Sequence, residues 1–417
     1  MNIKILCLSP LLGAGLCSSA CAAVITVSGS SASSVNSALN SAASGDTVKV
    51  TGSGWSTGTV TIPNNKYITL DGGGLSVSGS IFIPSSADYQ ARVTNFKWAS
   101  TARGAVVTGG GKNNKPWRMD HCTIEANTGD IMLPGSGPGL IDHLTAINMQ
   151  SYVQMIQPQW EGPDTEIGWT DSHTPGSPNA IYIEDSTFTH PSGDIWDGSC
   201  VFQVYYGARI VARHNTIKAA MIEVHGSPSS LSSVGGRWWE FYNNTFTGGA
   251  ICIRAGSGVV FNNTGTATFF AMIEEDSGYP AKYQVGRGQN QTLYPAYVWG
   301  NASSIGDPCF NCGGLCSAAA ANMIQLNRDV YIAGAGTSLP ATATVGQAYW
   351  KTDAGGDWDK SNAAANDGAL YKCTAANHWE LYYVPYTYPH PLQFGFDDNT
   401  NRPSPPTDLW VEATQQN

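Results

Sequence analysis

The chain has 417 residues, only 12% of them charged, with 47 glycines and a formal net charge of −10. An acidic chain of this kind lacks the basic face that nucleic acid binding requires, and it disfavours a polyanionic partner unless cations or a local Lys/Arg cluster intervene. After the first two dozen residues no apolar run approaches the ~20 residues of a membrane-spanning helix.

Residues 1–23 carry one early Lys, an apolar run and small residues ending in Ala20-Cys21-Ala22-Ala23, the pattern of a secretory signal peptide. A lipid anchor through Cys17 or Cys21 is the alternative, and the residues before each Cys fit it poorly. The expectation is a secreted protein, extracellular or periplasmic, monomeric and without membrane insertion. Removal of the leader takes Cys7, Cys17 and Cys21 and leaves seven of the ten cysteines. Cys122, Cys200 and Cys252 sit in apolar strand-like contexts and read as small buried hydrophobes. Cys309, Cys312, Cys316 and the distant Cys373 admit a zinc site, but export to an oxidising compartment favours disulfides, with the pairing open.

From Val24 onward, short β-rich runs are punctuated by Gly, Ser and Asn. The exception is 33–43, where Val35, Leu39 and Ala42 recur at helical spacing between serines and Gly45, which predicts one amphipathic helix capping the first rungs. Six segments then return: RMDHCTI (118–124), LIDHLTAI (140–147), IYIEDSTF (181–188), IVARHNTI (210–217), EFYNNTF (240–246) and VVFNNTG (259–265). Aligned on the residue before Thr, they place Cys122, Leu144, Ser186, Asn215, Asn244 and Asn263 in register, separated by 22, 42, 29, 29 and 19 residues. Rungs of this length suit a parallel β-solenoid, whereas a sandwich would show turns every 8–12 residues. Asn at a repeated corner stacks its amides into a hydrogen-bonded ladder and tolerates left-handed turns, so Asn215, Asn244 and Asn263 read as corner posts. His121, His143 and His214 precede the corner; stacked structural histidines are the plain reading and a metal site across rungs the sharper one.

These rungs, with WWEFYNNTF, IRAGSGVVFNN, YQVGRGQN, NRDVY (327–331) and YVPYTYPHPL (383–392), resemble the secreted right-handed parallel β-helix proteins of the pectate-lyase fold, and within them a bacterial subgroup without an assigned activity. The resemblance implies an all-β chain: a right-handed parallel β-helix over 24–300 with an N-terminal capping helix, a Cys- and aromatic-rich β unit over 301–396, and a flexible tail over 397–417. It also implies a polysaccharide in a groove. The Asp-His rung of pectate lyases has counterparts in DHCTIE and IDHLTAI, but their Arg-x-Pro-x-Arg pattern has none, Arg237 being nearest by position, and their calcium-binding aspartates have no matching positions.

Cleaving a uronic-acid polymer by β-elimination needs the carboxylate neutralised, a base for the C5 proton and an acid for the leaving oxygen. Between the first two Asn-Thr corners lies the densest ionisable cluster, Glu223, His225, Arg237 and Glu240. Arg237 or Arg254 could neutralise, His225 or Lys218 could act as base, and Glu223, Asp194 and Asp197 could hold a hard cation such as Ca2+. The rival is hydrolysis by a carboxylate pair, Glu223 with Glu240 or Asp185 with Asp194. A third reading is a carbohydrate-binding or adhesin protein without catalysis. Trp160, Trp169 and Trp196 could stack on sugar rings or simply cover the solenoid. The aromatic segment beyond Trp299 could bind carbohydrate, but a cap on the last rung is the favoured role.

Overall fold

In the computed structural model, residues 3–4, 22–86, 88–99, 106–109, 115–125, 132–134, 138–147, 169, 173–190, 200–226, 234–272, 283–310 and 323–395 are described. Twelve parallel strands, from Val24–Ser28 to Val330–Ile332, stack into one long sheet, here sheet A; Ile3–Lys4 adds an antiparallel edge. Short strands such as Lys97–Ala99, Thr123–Glu125, Thr145–Ile147, Thr187–Thr189 and Thr216–Lys218 stack into sheet B. The third face, sheet C, holds Thr59–Thr61, Ser80–Ile83, Val106–Thr108 and Met132–Pro134, and further along Cys200–Val204 and Met221–Val224. In the last rungs B and C run together in Thr245–Ile253 and Thr264–Ala271. Gly249, at φ +91°, makes the bulge between the halves; a Cβ there would sit 2.0 Å from the Ala220 carbonyl oxygen. The chain is the expected parallel β-helix.

The corner between A and B explains the repeat. Asn215 Nδ2 donates to Asn244 Oδ1 (3.0 Å) and Asn244 Nδ2 to Asn263 Oδ1 (3.0 Å), and the ladder continues to Asn301 (2.9 Å). Each amide also donates to a sheet A carbonyl, Ile183, Ala212, Phe241 or Val260. The ladder is as expected, but the left-handed residue is the one before it: His121, His143, Asp185, His214, Asn243 and Asn262 all lie at φ 52–55°. The inward Asn and the outward left-handed residue divide two roles that the sequence suggests for one.

The helix spans Ala32–Ser41, capped by the Ser31 hydroxyl accepting from Ser34 N–H, and buries Val35 and Leu39 in the solenoid core. Its Asn36 amide pairs with Thr59 and Thr61, so it closes the exposed edge of sheet C as well as the core.

The C-terminal unit departs from expectation in place. Gly334–Gly336, Ala348–Lys351, Ala369–Ala375 and His378–Tyr383 form a four-stranded sheet, with one parallel and two antiparallel pairings. It lies along the outer face of sheet A instead of across the last rung. A second core forms there, in which Tyr182, Tyr242, Phe261 and Trp299 meet Trp350, Trp358, Leu370 and Tyr383. Full burial of each such side chain contributes about 1.5–3 kcal/mol, which holds the unit on this flank. Buried ions pin it: Arg213, paired with Glu184 (2.7 Å), donates to the Tyr386 (2.5 Å) and Thr387 (2.8 Å) carbonyls. Cys373 is a buried thiol donating to the Ala375 carbonyl (3.0 Å), so it is not half of a disulfide; no disulfide forms among the described residues, and Cys312 and Cys316 lie outside them.

Candidate functional site

Each rung offers three outer faces. That of sheet A is plated over much of its length by the C-terminal unit, and that of sheet B presents exposed threonines. Sheet C carries the polar network that joins Glu223, His225 and Arg254.

The register Gln203↔Glu223↔Cys252 and Val204↔Val224↔Ile253 alternates inward valines and isoleucine with outward polar groups. Glu223 is 2% exposed. Its Oε2 accepts from Gln203 Nε2 and from the Cys200 thiol (3.2 Å), and its Oε1 from Arg254 Nη2. Burial raises the carboxyl's pKa, but Arg254, His225 and these donors outweigh it and hold Glu223 below the usual glutamate range. Glu223 is therefore a buried carboxylate that fixes the Arg254 guanidinium on this face.

Two residues on along the strand, His225 stacks on Tyr205, ring centroids 4.2 Å apart and 23° between planes. His225 Nδ1–H donates to the Gly226 carbonyl (2.7 Å), so the neutral ring carries its lone pair on Nε2. The Tyr205 hydroxyl donates to Gln203 Oε1 (2.8 Å), which closes a network Arg254–Glu223–Gln203–Tyr205–His225. Tyr205 and Gln203 escape a reading based on clusters within one rung. Their signal is the alignment of FQVYY (202–206) with IEVHG (222–226), which sets each beside its partner one rung on.

The structure separates the other expected residues. Glu240 points from sheet A into the second core, 2% exposed, accepting from Tyr383 O–H (2.6 Å), Trp238 Nε1–H (2.9 Å) and Gly176 N–H (2.9 Å). Burial raises its pKa against these donors. It is a post of the interface, and its pairing with Glu223 for hydrolysis fails because the two lie on different faces. Asp185, the other hydrolytic candidate, sits at the A–B corner, bound by the Tyr388 hydroxyl (2.5 Å) and Gln393 Nε2 (2.7 Å). Arg237 is 2% exposed, its guanidinium between Trp169 and Tyr294, 5.5 Å from each ring centroid, with no open face for a sugar. Trp169 is likewise a packing post, 1% exposed, donating to the Gly235 carbonyl (2.9 Å) and lying on Tyr283 (4.4 Å). Lys218 is exposed on sheet B, around the corner made by Ala219.

Trp160, Trp196, Asp194 and Asp197 lie outside the described residues. Of the three oxygen ligands expected for Ca2+, Glu223 alone is described, and its oxygens are taken by Arg254, Gln203 and Cys200, which does not fit a cation ligand. Among the described residues no group of three or more His, Cys, Asp or Glu is placed to hold a metal, and no helix is long and apolar enough to cross a membrane. The chain matches no known protein family, no curated protein and no solved structure.

Proposed function

We propose that this is an exported polysaccharide lyase whose outer sheet C face binds a uronic-acid-containing chain and cleaves it by β-elimination. The observation that carries the reading is the single network joining Arg254, Glu223, Gln203, Tyr205 and His225 on one face. A guanidinium has five N–H donors in a planar fork, so Arg254 can engage Glu223 and still present N–H groups to a substrate carboxylate. That engagement acidifies the C5 proton of the uronate. His225 Nε2 takes this proton, the C4–C5 double bond forms as the C4–O bond breaks, and the Tyr205 hydroxyl gives the leaving oxygen its proton. No step needs a metal ion, because the cation is Arg254.

The test is near-ultraviolet absorbance of the new conjugated double bond while the protein meets pectate, alginate, glucuronan and glycosaminoglycans, with calcium and with chelator. Absorbance should rise on one polymer and be unchanged by chelator. His225→Ala and Tyr205→Phe should each lower turnover by at least about 100-fold, the scale of a lost general acid or base, with unaltered thermal unfolding. A flat trace on every polymer, or full activity in both variants, defeats the proposal. Glycan binding without any product would then assign the protein to adhesion.

A further inference from the structure

We propose that His121 and His143 form a binding site for a divalent first-row transition ion such as Zn2+, on the A–B corner and apart from the sheet C network. The two rings are stacked, with centroids 4.7 Å apart and 4° between planes. Their side chains are 50% and 43% exposed, while the aspartates beside them are fully buried. The left-handed backbone at both, φ 53° and 52°, turns each ring out of the corner on successive rungs, and parallel strands stacked about 4.8 Å apart set the ring spacing.

The second observation is what stands behind each ring. His121 Nδ1–H donates to Asp120 Oδ2 (2.6 Å), and His143 Nδ1–H to Asp142 Oδ2 (2.8 Å). Each carboxylate is gripped by an arginine fork: Arg92 Nε and Nη2 on Asp120 at 2.7 and 2.6 Å, Arg118 Nε and Nη2 on Asp142 at 2.8 and 2.7 Å. Arg118 is itself held by the Leu392 and Gln393 carbonyls at 3.0 Å each. A carboxylate on Nδ1 fixes the tautomer and orients the ring, as the outer shell of a metal-ligating histidine does. The arrangement occurs twice, side by side, and puts both Nε2 lone pairs outward.

A tetrahedral ion at the usual Zn–N distance of about 2.0–2.1 Å brings its two nitrogens to about 3.4 Å. In the parallel stack the two lone pairs run side by side, so taking one ion requires the half-exposed rings to leave the stack and tilt toward each other. Two positions of the ion then remain for water or an incoming carboxylate. Imidazole pairs suit Zn2+, Cu2+ and Ni2+ and not Ca2+ or Mg2+, which prefer oxygen. His214, at the same rung position, cannot join. It lies under Tyr388 (3.6 Å between centroids), where burial pushes its pKa down to about 4 against the pull of Asp359.

The experiment is calorimetric titration of the chelator-treated full chain with Zn2+ alone, beside His121→Ala, His143→Ala, the double variant and Asp142→Asn. The double variant subtracts binding by exposed histidines elsewhere, His378 above all. Wild type should take one ion more than the double variant and should melt at higher temperature with Zn2+. Each single His variant should bind at least tenfold more weakly, and Asp142→Asn 10- to 100-fold more weakly, the range for lost outer-shell partners. Equal stoichiometry in wild type and double variant overturns the proposal, as does wild-type affinity in either single variant. Variants that melt below wild type in chelator are replaced by His121→Gln and His143→Gln, read by the same criteria.

Discussion

Glu223 and Glu240 are 17 residues apart in the chain, each 2% exposed, and their carboxyls shift in opposite directions. Burial pushes both up. On sheet C, Glu223 meets a guanidinium and ends below the ordinary glutamate range; on sheet A, Glu240 meets mainly neutral donors, with Arg213 a minor influence, and stays above it. A buried carboxylate becomes part of a charged functional network only where a cation is built beside it; with neutral donors it becomes mortar for a packed interface. The same rungs thus serve two ends, a polar face for chemistry and a face of aromatics and buried ion pairs for holding the C-terminal unit.

The comparison breaks most severely at Arg254. Arg254→Ala leaves the Glu223 charge buried without its cation, a loss of about 3–5 kcal/mol for one partner of a buried pair, and it removes the group that would face a substrate carboxylate. Urea unfolding should show the destabilisation, and uronate cleavage should vanish. In the double variant with Glu223→Gln most of the stability should return but not the activity. If the single variant unfolds like wild type, Glu223 does not depend on Arg254. Less severe is Tyr383→Phe, which takes one donor from Glu240 Oε2 and should cost about 1–3 kcal/mol, the penalty of an unsatisfied buried acceptor. Limited proteolysis should then release the C-terminal unit earlier while sheet C activity persists, and a cleavage pattern identical to wild type would separate Glu240 from the interface.

The solenoid was legible because its corners repeat: Asn215, Asn244 and Asn263 recur with Thr behind them, and an inward amide ladder tolerates few other residues. The division of the corner between Asn and the left-handed residue before it was not, since His, Asp and Asn all fill that position. The site was half legible. Glu223, His225 and Arg254 do come together, because residues on one face of stacked strands keep their alternation. Arg237 and Glu240 do not, because Met221–Val224 belongs to sheet C and Trp238–Tyr242 to sheet A, and nearness in sequence between two faces is not nearness in space. The plated flank had left a mark. Strands Arg209–Arg213, Trp238–Tyr242 and Ser257–Phe261 are buried at every position, which WWEFY and GVVF foreshadow as apolar runs without alternation.

The finest test of the comparison is the pH dependence of stability. Glu240 has its pKa raised on folding, so its contribution is fully present below the unfolded glutamate pKa and is lost as pH rises through the folded value. Glu223 has its pKa lowered, so its contribution is present above the unfolded value and is lost as pH falls through the folded one. Glu240→Gln, neutral at every pH and able to bond the same Tyr383 and Trp238 partners, should remove the decline on the rising side and leave the acid limb in place. Each tenfold change in proton affinity corresponds to about 1.4 kcal/mol, so the effect is smaller than either loss above but resolvable in urea midpoints taken from acid to neutral pH. A variant profile parallel to wild type throughout would mean that Glu240 changes its proton affinity little on folding, and that neutral donors are enough to carry a buried charge at this interface.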